Sequence, residues 1–292
     1  MKPAVFEYLS PTSVQEAVQI LAEPDDVGDT KVLAGGQSLV PLLSLRLAQP
    51  GRIVDINRVD ALQEITEDAG VLSIGALVRQ RTAEHSELVR TACPLMAAAI
   101  PHIGHPAIRN RGTVGGSIAH ADPAAELPTV VVCLDAELVA EGSGGVRTIP
   151  ASAFFNGFFT TALGPDEILT GVRVRSAAPG TGAAYEEVAR RHGDFAMAGV
   201  AAVVRLEADT VAEARIALSG VDLVPVRASK AESVLVGQVL DDATLAAAAD
   251  EATASLNPAS DLHGSAAYRK HVAGVLIRRA VRSAARRARE SR

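Results

Sequence analysis

RNRGTVGGSIAHAD, residues 109–122, has the most distinctive composition in the chain, and we name it the second glycine segment. It combines three glycines and two arginines with hydroxyl and amide side chains, a histidine and an aspartate. A buried strand does not need this mixture, and few surface loops have it. Glycine lets the backbone come close to a ligand and turn its N–H groups toward it, and such backbone commonly binds anions. The segment therefore predicts a site for an anionic ligand.

A similar stretch, VLAGGQSL at residues 32–39, lies about seventy residues upstream and is the first glycine segment. The pattern predicts a strand over residues 30–34, then the glycines, then a helix from Leu39 to about Leu47 that Ser38 caps. A strand, a glycine turn and a helix N-terminus together form an anion site. The alternative is a tight βα turn in which glycine provides backbone freedom alone.

Two such segments with unpaired backbone N–H groups fit a diphosphate held from both sides. The alternating donors and acceptors of the second segment fit sugar hydroxyls and base edges. We therefore predict a dinucleotide site, and the residues by themselves do not choose between a flavin and a nicotinamide.

Composition narrows the function classes. The chain has 292 residues, is 48% hydrophobic and carries a net charge of −6. These values are typical of a soluble protein of two or three domains and argue against binding to a nucleic-acid backbone. Only 3% of the residues are aromatic, so few side chains could stack on bases. No apolar run predicts a membrane span, and the first residues lack the apolar stretch of a signal peptide.

The two cysteines, Cys93 and Cys133, stand in apolar surroundings at a spacing that matches no zinc or iron–sulfur site. We therefore expect no metal on this chain, and two reduced, buried thiols in a cytoplasmic protein. No Walker loop, G-x-S-x-G elbow or H-E-x-x-H helix is present, so the sequence contains no recognisable motif for hydrolytic or metal chemistry.

Periodicity and turn residues predict the elements of the first half. Ser13 and Glu16 are spaced as a capping box for a helix, which the Pro24-Asp25-Asp26 turn ends. The four phenylalanines within residues 154–159 are expected to pack around a helix end. The other predicted elements are a strand over 52–56, a hairpin of 62–65 with 71–74, a mainly helical segment over 78–103, a buried helix over 129–134, a hairpin of 136–140 with 145–149, and a strand over 167–175.

A stretch of small and polar residues at 176–182 predicts a domain boundary, which divides the chain into residues 1–176 and 177–292. Strands grouped before helices in the second part are typical of an α+β domain. The predicted elements are the strands of an antiparallel meander over 183–190, 197–206 and 211–218, and helices over 228–236, 242–254 and 265–289.

The two glycine segments together strongly resemble the FAD-binding medium subunit of molybdenum hydroxylases, a group that includes xanthine dehydrogenase, aerobic carbon monoxide dehydrogenase and the nicotine and caffeine dehydrogenases. The resemblance covers essentially the whole chain, and motifs of this length are specific where a lone Gly-Gly pair is not. They are AGGQSL at 34–39, RNRGTVGGS at 109–117, AHADPAAELP at 119–128, FFNGFF at 154–159, PDEIL at 165–169, RRHGDFA at 190–196, RIAL at 215–218 and GSAAYR at 264–269.

The resemblance implies an α+β fold. Its first part would be a PCMH-type (vanillyl-alcohol-oxidase-like) FAD-binding domain of two α/β subdomains. An α+β C-terminal domain like that of carbon monoxide dehydrogenase flavoproteins would follow.

The resemblance also implies which residues bind the cofactor. The first glycine segment would wrap the pyrophosphate and ribityl region of FAD, and residues 113–117 would do so from the other side. No catalytic side chain is implied, because the chemistry belongs to FAD. The implied cofactor-binding residues are Val32, Leu33, Ala34, Gly35, Gly36, Gln37, Ser38, Leu39, Thr113, Val114, Gly115, Gly116, Ser117, His120, Asp122, Glu126, Ile168, Leu169, Asp194 and Phe195.

Outside the glycine segments, these residues have separate implied roles. Glu126 stands where the family usually has Asp, and would contact the adenosine part. Ile168 or Leu169 would pack near the adenine or the ring system. Asp194 and Phe195 fall in a loop beside the isoalloxazine, where several relatives carry Tyr or an aliphatic residue in place of phenylalanine.

The implied role is electron relay within a dimer of heterotrimers. A large subunit with molybdopterin would hydroxylate the substrate, and a small subunit with two [2Fe-2S] clusters would pass the electrons to FAD on this chain. GHPAI at 104–108 differs from the Gly-Asp usual in the carbon monoxide branch and favours an N-heterocycle substrate, although His105 could equally serve loop packing. The alternatives are a stand-alone flavin oxidase and a nucleotide-binding module without redox chemistry.

Overall fold

A computed structural model of the chain describes residues 2–23 and 28–291. The predicted turn at Pro24-Asp25-Asp26 lies outside the described residues. The first structural unit of the chain is a parallel sheet in the strand order β1-β3-β2. The elements are β1 (Glu7–Leu9), α1 (Val14–Ala22), β2 (Thr30–Leu33), α2 (Leu39–Ser44) and β3 (Arg52–Asp55).

The start of α1 confirms the predicted cap. The Ser13 hydroxyl accepts a hydrogen bond from the Glu16 backbone N–H at 3.1 Å, and the Glu16 carboxylate accepts one from the Thr12 N–H at 2.7 Å. The predicted cap on α2 is wrong. Ser38 has helical dihedral angles and its side chain makes no capping bond, whereas a capping residue requires an extended backbone.

A five-stranded antiparallel sheet in the order β4-β5-β10-β6-β7 forms the second unit, with most of the short helices packed around it. Its elements are β4 (Ile65–Asp68), β5 (Val71–Gly75), α3 (Gln80–His85), α4 (Glu87–Ala92), α5 (Pro94–Ala99), α6 (Pro106–Arg109), α7 (Val114–His120), α8 (Glu126–Cys133), β6 (Glu137–Gly142), β7 (Gly145–Pro150), β8 (Phe155–Gly157), β9 (Thr160–Thr161) and β10 (Ile168–Arg175).

The segment over 78–103 is mainly helical, as predicted. It consists of three short helices, because Ser86 caps a new helix at the Val89 N–H and Pro94 begins another. The phenylalanines of 154–159 pack around a helix end in part, since the Phe159 ring lies against His120, the last residue of α7. Phe154 is fully buried, but Phe158 and Phe159 are 59% and 46% exposed at the tip of the β8–β9 hairpin.

The C-terminal unit is a four-stranded antiparallel sheet in chain order, covered on one face by helices. The three predicted strands and three predicted helices are confirmed within two residues, and a short fourth strand adds to them. The elements are β11 (Thr181–Ala189), β12 (Ala196–Glu207), β13 (Thr210–Ser219), β14 (Val226–Arg227), α9 (Ser229–Leu235), α10 (Asp242–Ala254) and α11 (Ala266–Glu290).

The second and third units share one apolar core. Leu127 and Leu138 of the second unit belong to the same buried cluster as Tyr185 and Val203 of the C-terminal sheet. Cys93 and Cys133 are buried and free, as predicted, and burial raises the pKa of each thiol to about 12. No helix in the described part of the chain is long and apolar enough to cross a membrane.

Candidate functional site

The fold brings the two glycine segments into direct contact. A Cβ built on Gly35 would lie 2.3 Å from the carbonyl oxygen of Arg111 and 2.8 Å from Cα of Gly112. A Cβ on Gly116 would lie 3.4 Å from that of Ala34. The turn after β2 therefore rests on the chain that leads into α7, and the predicted adjacency of the segments holds.

The first glycine segment presents unpaired donors. Within the described residues, the backbone N–H groups of Gly36, Gln37 and Ser38 donate no hydrogen bond, and all three residues are half-buried. Gly36 has φ of +74°, a left-handed conformation in which glycine carries no steric penalty. No acidic residue occurs in this segment, so the donors can meet an anionic ligand without like-charge repulsion.

The second glycine segment differs from its prediction. Val114 to Ser117 are the first turn of α7 rather than a loop, and their N–H groups are paired. The Val114 N–H donates to Val78 O and the Gly115 N–H to Ala76 O, both at 2.9 Å. The Gly116 N–H donates to Thr113 Oγ1 at 3.1 Å. Among the described residues, the backbone donors of Gly36 to Ser38 are thus free, whereas those of Val114 to Ser117 are paired.

Close packing explains the glycines of the second segment. A Cβ on Gly115 would lie 2.4 Å from Cβ of Ala76, and one on Gly112 would lie 2.5 Å from Oε1 of Gln80. Their absent side chains let α7 approach the chain after β5. The second segment is therefore closely packed within the second unit, next to the free N–H groups of the first segment.

His120 and Asp122 lie at the C-terminal end of α7, half-buried. The His120 ring lies 4.8 Å from the Phe159 ring, centroid to centroid, and Asp122 Oδ1 accepts a hydrogen bond from the Ala124 N–H at 2.9 Å. Burial lowers the pKa of His120 and raises the pKa of Asp122. Both shifts favour the uncharged form.

Glu126, at the start of α8, is 8% exposed, and burial raises its pKa to about 8. It belongs to a buried polar cluster between the second unit and the C-terminal sheet. His102 Nδ1 lies 3.4 Å from Glu187 Oε1, and this contact raises the pKa of His102. Tyr185 Oη lies 3.3 Å from Ser219 Oγ. Polar side chains of the two units thus meet at this boundary.

The remaining predicted residues belong to other elements, and Ile168 is part of the apolar core against which Val32 and Ala34 of the first segment pack. Ile168 and Leu169 are 3% and 4% exposed within the central strand β10, and they contribute to two different apolar cores. Asp194 and Phe195 are exposed in the turn between β11 and β12, where Phe195 is 68% exposed.

His105 packs against this turn. Its ring is 6.3 Å from that of His192, centroid to centroid, and a Cβ on Gly193 would lie 2.9 Å from its Cε1. Of the two interpretations of His105, loop packing is the one this contact supports.

Two side chains at the site escaped the sequence analysis. Asn57 donates from Nδ2 to Ala34 O at 2.7 Å, and Arg79 donates from Nη1 to Arg111 O at 2.5 Å. Neither residue lies in a glycine motif or in a hydrophobic repeat, so the sequence gives no sign that they contact the glycine segments.

Comparison with known proteins gives matches over both halves. Residues 4–175 match a family described as the FAD binding domain in molybdopterin dehydrogenase, and residues 183–284 match the CO dehydrogenase flavoprotein C-terminal domain.

Individual relatives match over nearly their whole length. The chain is 41% identical over 293 residues to the 6-hydroxypseudooxynicotine dehydrogenase complex subunit alpha of Paenarthrobacter nicotinovorans, covering 100% of this chain and 98% of that protein. It is 42% identical over 284 residues to the carbon monoxide dehydrogenase medium chain of Hydrogenophaga pseudoflava, covering 97% and 98%.

Solved structures agree. The carbon monoxide dehydrogenase from Hydrogenophaga pseudoflava has a chain that matches with a TM-score of 0.95 at 43% identity, covering 98% of this chain and 99% of that one. A chain of quinoline 2-oxidoreductase from Pseudomonas putida 86 matches with a TM-score of 0.93 at 40% identity, covering 99% of each.

Proposed function

Because the chain belongs to the family of FAD-binding subunits of molybdopterin dehydrogenases, we propose that it relays electrons from the [2Fe-2S] clusters of a small partner subunit through FAD to an external acceptor. The observation that carries the proposal is the contact between the two glycine segments, with three unpaired backbone N–H groups beside it. Residues 1–176 would hold the cofactor, and residues 177–292 would form the second domain.

The residues present fit a dinucleotide diphosphate. Half-buried N–H groups of Gly36, Gln37 and Ser38 would donate to phosphate oxygens, while the packed start of α7 limits movement on the other side. Beyond α7, burial shifts the pKa values of His120, Asp122 and Glu126 toward the uncharged forms. His120 and Asp122, half-buried at the end of α7, would form hydrogen bonds with sugar hydroxyls or base edges.

The chain's own contribution is binding and orientation. When bound, FAD supplies an acceptor of electrons that can pass them on to a second acceptor. The glycine segments would hold the cofactor, and the apolar core shared by the second and third units keeps the two domains in a fixed arrangement. No acid or base from this chain is required.

The proposed assembly contains a small [2Fe-2S] subunit and a large molybdopterin subunit, as a dimer of heterotrimers in the cytoplasm. An N-heterocycle substrate is supported by two relatives, the 6-hydroxypseudooxynicotine dehydrogenase subunit at 41% identity and quinoline 2-oxidoreductase at 40%. Carbon monoxide is the second candidate, supported by a medium chain that is 42% identical over 97% of this chain.

Purification of the complex from its native cell, followed by dye-reduction assays with nicotine, quinoline and carbon monoxide, tests these proposals. We expect two further subunits to co-purify and an N-heterocycle to be oxidised. Oxidation of carbon monoxide alone would select the second candidate. A chain that purifies alone and oxidises a substrate without molybdenum or iron would contradict the relay and support a stand-alone flavin oxidase.

A further inference from the structure

We propose that Asn57 and Arg79 are positioning residues that set the spacing of the two glycine segments and thereby determine how tightly the chain binds a dinucleotide diphosphate. The inference rests on the proposed FAD function and adds to it two side chains outside both segments.

A continuous path of hydrogen bonds joins the segments through these side chains. Asn57 Nδ2 donates to the Ala34 carbonyl at 2.7 Å. Arg79 Nη2 donates to Asn57 Oδ1 at 2.7 Å, and its Nη1 donates to the Arg111 carbonyl at 2.5 Å. We name this pair the Asn57–Arg79 brace. It holds the residue before Gly35 and the residue on which Gly35 packs.

The brace is anchored in the first unit. Asp55, the last residue of β3, accepts hydrogen bonds through Oδ1 from the Asn57 backbone N–H at 2.9 Å and from its Nδ2 at 2.5 Å. Tyr8 Oη donates to Asp55 Oδ2 at 2.5 Å. Burial acts to raise the pKa of Asp55, but the hydrogen bonds from Tyr8 and Asn57 outweigh it and hold that pKa below its ordinary value. Both ends of the Asn57 amide therefore have fixed partners.

The brace also brings positive charge to the segments. Burial lowers the pKa of Arg79, and the nearby charge of Arg111 lowers it further. In residues 2–23 and 28–291, neither arginine forms an ion pair with a carboxylate. The positive charges of the two guanidinium groups repel each other, and an anion placed near both would offset this repulsion. A diphosphate beside the unpaired N–H groups of the first segment is such an anion.

Preorganisation gives the brace its effect on affinity. The contact of Gly35 with Arg111 prevents the segments from moving closer, but contact alone does not prevent them from separating. The hydrogen bonds of the brace oppose separation, so the donors of Gly36 to Ser38 keep their position before a ligand arrives. A site that must be ordered by its ligand loses affinity by the free energy of that ordering.

The test uses the full chain after its flavin has been removed. FAD binding is measured by the quenching of FAD fluorescence, and the melting temperature of the FAD-free chain is measured separately. Arg79→Gln and Asn57→Ala each break the path, the second by removing the amide that donates to the Ala34 carbonyl and accepts from Arg79. We expect each to raise the Kd for FAD about tenfold or more while the FAD-free melting temperature stays within about 2 °C. Arg79→Lys keeps the charge and one donor, so its Kd falls between.

Matched controls lie close by. Arg81 is exposed on α3, 3.7 Å from Glu84, and Gln63 is exposed beside Asp60; Arg81→Gln and Gln63→Ala should bind FAD as the wild type does. Wild-type affinity in Arg79→Gln and Asn57→Ala would overturn the brace. A loss of affinity matched by an equal loss of stability without FAD would also overturn it, by making the role purely structural. A wild-type chain that binds no FAD would overturn the proposed function instead.

Discussion

Gly35 packs backbone to backbone on Arg111, since a Cβ on Gly35 would lie 2.3 Å from the Arg111 carbonyl oxygen. The contact joins the turn after β2 to the chain that enters α7. Glycine is needed at position 35 for this approach, whereas at Gly36 it is needed for the left-handed φ of +74°. Adjacent glycines in one motif thus meet two different physical demands.

Gly35→Ala should separate the two segments. The added methyl group has backbone rather than flexible side-chain atoms against it, so the segments must move apart, and such overpacking costs about 1–3 kcal/mol. We expect lower stability and weaker FAD retention, measured by thermal unfolding and by flavin absorbance after gel filtration. Gly144→Ala is the matched control, because no atom lies within 4 Å of its added Cβ. Full flavin retention in Gly35→Ala would show that the contact does not matter to the site.

Thr113→Val should weaken the start of α7. Thr113 Oγ1 accepts the Gly116 N–H at 3.1 Å, and loss of such a cap costs about 1 kcal/mol. Thr113→Ser keeps the hydroxyl and should keep the stability. Denaturant unfolding of both variants measures the difference, and equal stability of Val and Ser at this position would contradict the capping role.

Glu126→Gln should change the pH dependence of stability. Burial raises the pKa of Glu126 from 4.5 to about 8, so the folded state holds a proton that the unfolded state releases between these values. Stability therefore falls as pH rises through this window, by at most about 1.4 kcal/mol per pH unit. His102, Glu187 and Asp122 surround the group, and the raised pKa of His102 acts in the same direction.

The glutamine variant should gain melting temperature relative to the wild type as pH rises from 5 to 8. Glu251→Gln, at an exposed position on α10, serves as the control and should show a constant difference. A Glu126→Gln difference that is flat with pH would mean that Glu126 is ionised in the folded chain.

Arg269→Gln should destabilise the C-terminal unit. Arg269 is 7% exposed on α11, and its guanidinium donates to Met197 O at 2.6 Å, to Gly220 O at 3.2 Å and to Asp261 Oδ2 at 2.7 Å. Removing these charge-assisted bonds should cost about 3 kcal/mol in unfolding free energy. Arg278→Gln, at an exposed position on the same helix, should cost less than about 0.5 kcal/mol. Equal effects of the two substitutions would show that the hydrogen bonds of Arg269 do not stabilise this unit.

Local patterns predicted much of this fold. The capping box of α1, the boundaries of α10 and the three-stranded meander each depend on residues close in sequence. The strands that escaped prediction, such as β1, β9 and β14, have two or three residues, which is too short for a periodic pattern.

The site was predictable in its components but not in its pairing. Sequence showed glycines in both segments, yet the N–H groups of Val114 and Gly115 find partners at Val78 and Ala76, which only the tertiary fold brings near. The Asn57–Arg79 brace could not be predicted from a motif for the same reason, because its residues are distant in sequence and meet only in the folded chain. The expected packing of phenylalanine around a helix end is seen at Phe159, whose ring lies against His120 at the end of α7.

We propose that this chain binds FAD between its two glycine segments. The most direct test is the absorbance spectrum of the purified full chain, before and after incubation with FAD and gel filtration. We expect flavin absorbance corresponding to one FAD per chain. A chain that carries no flavin and takes up none from solution would contradict it.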